Sequence, residues 1–271
     1  MLPEEFLPPQ PAPVVPPRDA ATVVLLRDAP GGLEVFLQRR VAGMAFAGGM
    51  TVFPGGGLDA RDRTAVAWTG PPPSWWGERF DCDTTLAQAL VCAAVRETFE
   101  ESGVLLAGPD EHSVVDDAAK YHAARAALVA RELPMAQFLA DARLVLRADL
   151  LRPWANWVTP EGEPRRYDTR FLLAALPVGQ HADGVTTEAA DAGWQTPATA
   201  LADWQAGRRW LLPPTWYTLT ELTSFDTVAD ALAAAQYRRI TRTLPRLVRD
   251  PDGLRAVLPG DPRYGAAAVV S

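Results

Sequence analysis

Arg96-Glu97-Thr98-Phe99-Glu100-Glu101-Ser102-Gly103-Val104 sets three carboxylates beside one guanidinium. At the helical period, Glu97, Glu100 and Glu101 fall within an arc of roughly 100° on one face. Glu97 and Glu101 are four apart, a spacing at which like charges destabilise a helix by roughly 0.2–0.5 kcal/mol. A cation between the carboxylates offsets that cost. Hard oxygen ligands on one face suit Mg2+ or Mn2+, ions that keep waters and bind substrate phosphates. The plain alternative is a solvated acidic face on which Arg96 and Glu100 pair. Two features weigh against it. Val91, Cys92, Val95 and Phe99 make the opposite face apolar, so the helix packs and its carboxylates point one way. Upstream, Phe53-Pro54-Gly55-Gly56-Gly57 ends a strand in glycines, which let backbone carbonyls approach a metal closely.

The elements that must hold these groups are legible in outline. Ala20–Arg27 and Leu33–Arg40 are β-rich runs around Asp28-Ala29-Pro30-Gly31-Gly32, the chemistry of a hairpin turn. Met50–Phe53 reads as a third strand. From Arg61 to Asp83 the pattern dissolves around Trp68, Pro71-Pro72-Pro73, Trp75 and Trp76, and a long loop is expected. Thr84 is the expected N-cap of a helix to Ser102, closed by Gly103. Val114–Glu132 and Met135–Arg143 are alanine-rich and helical in composition, whereas Leu144–Trp157, Tyr167–Ala175 and Thr186–Trp194 read as extended. Ala198–Gln205, Pro214–Leu222 and Val228–Tyr237 read as helices, and Arg242–Leu258 as a hairpin turning at Asp250-Pro251-Asp252-Gly253. Strands mixed with helices favour a layered α/β or α+β domain. The expected organisation is a flexible proline-rich arm over residues 1–18, then one domain over 19–271 with an insertion at 60–83 and an extra helical segment at 113–143.

The 271 residues, 48% hydrophobic and 22% charged, suffice for a substantial core. No run approaches 18 apolar residues, so no membrane partner is expected. A net charge of −7 makes a nucleic-acid polymer a poor partner, while small phosphorylated ligands remain open. Cys82 and Cys92 make no disulfide framework and no zinc spacing, and His112, His122 and His181 are scattered. A cytoplasmic location is expected.

The acidic stretch resembles the Nudix hydrolase box, G-x5-E-x7-R-E-U-x-E-E-x-G-U, with Thr98 where the family has an apolar residue. Gly56 matches the opening glycine. The first glutamate of the box then falls at Gln88, with about 26 residues inserted between Gly56 and Gln88. That insertion suits a lid whose tryptophans stack on a base, and equally a stiff surface loop or subunit contact. Thr51–Gly56, Ala93–Glu101, Trp154–Pro160, Arg165–Phe171 and Leu211–Trp216 are similar to one Nudix branch. That branch includes the peroxisomal coenzyme A diphosphatase, which also carries a long insertion inside its box.

The resemblance implies a Nudix α/β/α sandwich with a mixed sheet. It implies an enzyme that uses Mg2+ or Mn2+ to hydrolyse the diphosphate of a nucleoside diphosphate derivative. Coenzyme A or acyl-CoA leads, with NADH, ADP-ribose or dinucleoside polyphosphates next. By family position Glu97, Glu100, Glu101 and the Gly55 carbonyl ligate metal, and Arg96 orients a glutamate. Glu188 is the chosen general base, against a plain strand-end acid. Arg165, Arg166 and Arg170 are candidate phosphate clamps, unless they pair with Glu161, Glu163 and Asp168. Trp157 is a candidate base-stacking residue, with Trp154 and Trp157 otherwise core. The partner is a small nucleoside diphosphate derivative, and a homodimer remains open. The rival reading, a non-catalytic Nudix-fold binding module, is motivated by Gln88 in place of the box glutamate.

Overall fold

A computed structural model of the chain describes residues 15–44, 47–186, 189–250 and 253–264. β1 (Arg18–Ala29) and β2 (Gly32–Arg40) form the expected hairpin, with Ala29 opposite Gly32 and a positive φ of 104° at Gly32. β3 (Thr51–Val52) pairs with β2, and β4 (Gly55–Gly57) pairs with β1, Ala21 facing Gly56. The expected loop instead holds a 3-10 turn (Ala60–Arg63), β5 (Trp68–Thr69) and α1 (Pro73–Phe80). α2 (Thr84–Ser102) follows. Its N-cap is Asp83 rather than Thr84, because the Asp83 carboxylate accepts from the Leu86 amide at 2.8 Å. Gly103, at φ 74°, closes it as expected.

Beyond α2 come β6 (Ala107–Gly108), α3 (His122–Val129), α4 (Met135–Asp141) and β7 (Val145–Arg147). The helix expected from Val114 shrinks to the stretch after Asp117, whose carboxylate accepts from the Ala119 amide and starts the turn. β5, β7 and β6 form a small separate sheet. β8 (Leu151–Val158), β9 (Tyr167–Ala175) and β10 (Ala189–Gln195) complete most of the main sheet. α5 (Pro197–Gln205), α6 (Pro213–Leu222), α7 (Val228–Gln236), β11 (Arg242–Thr243) and the pair β12 (Arg246–Asp250) and β13 (Gly253–Val257) end the described chain. The strands of the expected tail hairpin are present. Its turn residues Pro251 and Asp252 lie outside the described residues, as do residues 1–14 of the expected arm, whose last residue, Arg18, already belongs to β1.

The main sheet runs β10-β2-β1-β9-β8-β11, mixed because β1 and β9 are parallel while β2, β8 and β10 pair antiparallel. Side chains alternate across it, and the alternation builds two cores. Ala21, Val23 and Leu25 of β1 join α1 and α2 on one face, with Leu172 and Ala174 of β9. Val24 and Leu26 join α5, α6 and α7 on the other, with Phe171 and Leu173. The result is the expected α/β/α sandwich. No helix among the described residues is long and apolar enough to cross a membrane.

Candidate active site

α2 reaches the sheet edge where β4 ends the glycine run, and the acidic face of the helix meets that corner. Glu101, buried, accepts hydrogen bonds from the Gly55 amide at 2.8 Å and from the Gln38 side-chain amide. The fit at Gly56 is also close. A Cβ there would lie 2.6 Å from the Glu97 carboxyl carbon, so only glycine lets that carboxylate lie against the strand.

Arg96 organises the group. Its guanidinium donates to both Asp62 oxygens at 2.9 Å, to Glu97 at 2.7 Å, to Glu100 at 3.4 Å and to the Gly57 carbonyl at 3.1 Å. Asp62 is 1% exposed and sits on the 3-10 turn Ala60–Arg63, just after the glycine corner. The surrounding carboxylates hold the guanidinium charged against its own desolvation. Burial pushes Glu97 up to about 7, opposed by the Arg96 charge and reinforced by Glu100. Burial also raises Glu100.

The pairing of Asp62 with Arg96 corrects the alignment of the box. Asp62 lies six residues after Gly56, which is the G-x5-acid spacing. The acidic position is therefore filled by Asp62, and the inserted 26 residues fall between it and Arg96 rather than between Gly56 and Gln88. Gln88, earlier on α2, is not among the residues that line the cavity. A charged group is present after all, and the argument for a decayed box loses its basis.

Nor is the insertion a lid. Trp76 is fully buried in the α2 core, and Trp68 and Trp75 pack against it. Arg79 of α1 donates to the carbonyls of Ala235, Gln236 and Arg238 at the end of α7. The segment is bolted to the molecule at both ends, and its tryptophans face inward rather than toward a base.

Glu97, Glu100, Glu101 and Gly55–Gly57 line a cavity of about 770 Å3, within the roughly 300–1,000 Å3 usual for small-ligand sites. Trp157 and Arg165 line the same cavity. Arg166 and Arg170 do not, and alternation explains why. Arg165, Tyr167, Thr169 and Phe171 share one face along β9 and the residues leading into it, and the intervening arginines must point away. Arg166 is spent on the carbonyls of Val15 and Thr159. Arg170 pairs with Asp168 at 2.8 Å and Asp19 at 3.1 Å, the structural alternative foreseen for it. Trp154 is core, with Arg238 stacked 3.9 Å above its ring. Trp157 is mostly buried and packs edge-on to Tyr217 while one side borders the cavity. Glu188 lies outside the described residues.

Sequence reasoning passed over Asp62, Gln38 and Arg18. The six-residue step from Gly56 was the available signal for Asp62. Gln38 and Arg18 have no motif of their own; only strand register brings them to the site.

As they stand, no three His, Cys, Asp or Glu side chains among the described residues converge tightly enough to enclose an ion. The donor set nevertheless fits a hard divalent cation. It offers carboxylate and backbone oxygens, a desolvated Glu97 in want of positive charge, and a cradle at Gly56 that a Cβ would fill.

Sheet, glycine corner and arginine-tethered acidic helix together define a Nudix hydrolase. The family described as the NUDT19 Nudix domain matches residues 78–222. The acyl-coenzyme A diphosphatase NUDT19 of Gallus gallus is 30% identical over 91% of this chain and 79% of its own length. That of Homo sapiens is 28% identical over 86% and 72%. A Nudix hydrolase from Alicyclobacillus acidocaldarius superposes with a TM-score of 0.67 at 29% identity, covering 80% of this chain and 96% of that one. The chain belongs to the NUDT19 Nudix family. It is a diphosphatase acting on nucleoside diphosphate derivatives, in a family whose members generally use divalent metal ions.

Proposed function

We propose that the chain hydrolyses the diphosphate of coenzyme A or an acyl-CoA, releasing 3′,5′-ADP and a phosphopantetheine. The observation that carries this reading is one cavity in which the acidic face of α2, the glycine corner, Arg165 and Trp157 meet. The NUDT19 relatives, named as acyl-coenzyme A diphosphatases, support the same substrate class.

Glu97, Glu100, Glu101 and the Gly55 carbonyl would hold Mg2+ or Mn2+. When bound, such an ion neutralises phosphate oxygens and acidifies water. The chain's own residues do the positioning. Arg96, anchored by Asp62, fixes the rotamers of Glu97 and Glu100. Glu101 clamps the glycine corner to the helix. Arg165 neutralises phosphate, and Trp157 offers an apolar ring edge to the nucleotide. Glu188 is the proposed base for the attacking water, whose oxygen bonds to phosphorus as the bridging P–O bond breaks.

Incubation with CoA, an acyl-CoA, NADH, ADP-ribose and dinucleoside polyphosphates tests the assignment. 3′,5′-ADP is expected from CoA in Mg2+ or Mn2+, with turnover abolished by a chelator and restored by either ion. Turnover of another panel member with CoA left intact overturns the CoA assignment.

A further inference from the structure

We propose that Arg18 and Arg165 form a second anion subsite, for a phosphate monoester carried on the ribose of the substrate. This rests on the diphosphatase reading and deepens it. Five arginines besides Arg96 line the cavity: Arg18, Arg40, Arg61, Arg131 and Arg165. Arg61 is committed to Asp59 and to the Arg131 carbonyl, and Arg40 is also engaged. Arg131 lies close enough to Glu100 for its charge to act on that carboxylate, which places it at the metal-facing end.

Arg18 and Arg165 are different. Their guanidinium groups have no hydrogen-bond or ion-pair partner among the described residues, though each lines the cavity of a protein with net charge −7. Strand register puts them together. Arg18 stands opposite Tyr167, and its amide donates to the Arg166 carbonyl at 2.8 Å. Arg18, Ala20 and Thr22 of β1 face the cavity beside Arg165, Tyr167 and Thr169. Glu163, a cavity-lining acid of the same loop, pairs with neither arginine among the described residues, and burial raises its affinity for a proton.

The separation fits one nucleotide. Ala21 is opposite Gly56, and Arg18 lies three residues further along β1, roughly 10 Å at the rise of an extended strand. An arginine side chain shortens that gap toward the diphosphate end. A phosphate on the far side of the same ribose reaches Arg18 and Arg165, while the diphosphate stays at the glycine corner. Two planar guanidinium groups without a partner among the described residues suit a dianionic phosphate monoester. The 3′-phosphate of CoA and the 2′-phosphate of a phosphorylated dinucleotide share this chemistry.

Calorimetric titration with 3′,5′-ADP, 2′,5′-ADP and 5′-ADP reads the subsite without turnover. The wild type is expected to bind one bisphosphate about tenfold or more tighter than 5′-ADP, and the preferred isomer identifies the source. In the Arg18→Ala/Arg165→Ala variant that ratio falls to near one, with an unchanged melting temperature. Equal affinity of the wild type for all three nucleotides overturns the proposal, as does a variant that keeps the wild-type ratio. The two readings fail separately. If the wild type cleaves CoA and 3′-dephospho-CoA with equal kcat/KM and binds all three nucleotides alike, the subsite falls and the diphosphatase stands. If the bisphosphate preference holds but neither compound is cleaved, the CoA assignment falls and the subsite stands.

Discussion

Arg96 is the residue on which the site's geometry turns, because one guanidinium fixes two carboxylates, a glycine carbonyl and Asp62. Asp62 is the partner it cannot lose. Both are buried, so removing the carboxylate takes the bidentate partner from a poorly solvated guanidinium and leaves Glu97 and Glu100 to balance it. Asp62→Ala is expected to cost about 1.5–3 kcal/mol of stability and to weaken metal affinity by about 10–100-fold. Asp62→Glu keeps the charge and is expected to recover a large part of both. Denaturant unfolding and metal titration on the two variants check this. Equal damage in Asp62→Ala and Asp62→Glu, or none in either, contradicts the assignment.

At the scale of elements, the inserted segment is the part whose role sequence composition concealed. Its tryptophans looked suited to stacking on a base, yet α1 buries Trp76 against α2 and uses Arg79 to cap α7. The element is a brace between α2 and the end of α7. Trp76→Ala is therefore expected to lower stability by about 3–5 kcal/mol, while KM stays within about twofold when measured well below the melting temperature. A mobile lid predicts the reverse, a large rise in KM at little cost in stability, and steady-state kinetics beside a denaturation curve separates the two.

For the whole molecule, metal, pH and stability are linked through Glu97. Burial lifts its pKa from the usual 4.5 to about 7, so the folded chain favours the protonated form. The stabilising contribution is full below the unfolded value of 4.5 and is lost as pH rises through about 7. A divalent cation held by Glu97, as proposed above, would reverse the balance, since it binds the carboxylate and displaces the proton. The melting temperature of metal-free protein is therefore expected to fall from about pH 5 to about pH 8 relative to the Mg2+-loaded protein. Scanning calorimetry with and without Mg2+ reads that gap. A gap that stays constant or narrows over this range rules out Glu97 as the linking group.

The sequence alone determined the chemistry and most of the elements. Carboxylates at helical spacing, an apolar opposite face and a glycine run are local patterns, and periodicity reports them wherever the chain goes next. Thus α2, the first hairpin, the glycine corner and the later helices were legible. The box motif added the family and its α/β/α sandwich. Only tertiary structure decided which groups meet across long separations in sequence. Asp62 joins Arg96 over 34 residues, Gln38 joins Glu101 over 63, and Arg18 stands beside β9 some 150 residues away. The same holds for Arg165 and Arg166, adjacent in sequence and equally charged. Strand alternation sends one into the cavity and the other to backbone carbonyls. The physical reason is that strand pairing and side-chain facing are set by packing of the two cores, which composition and local spacing do not encode.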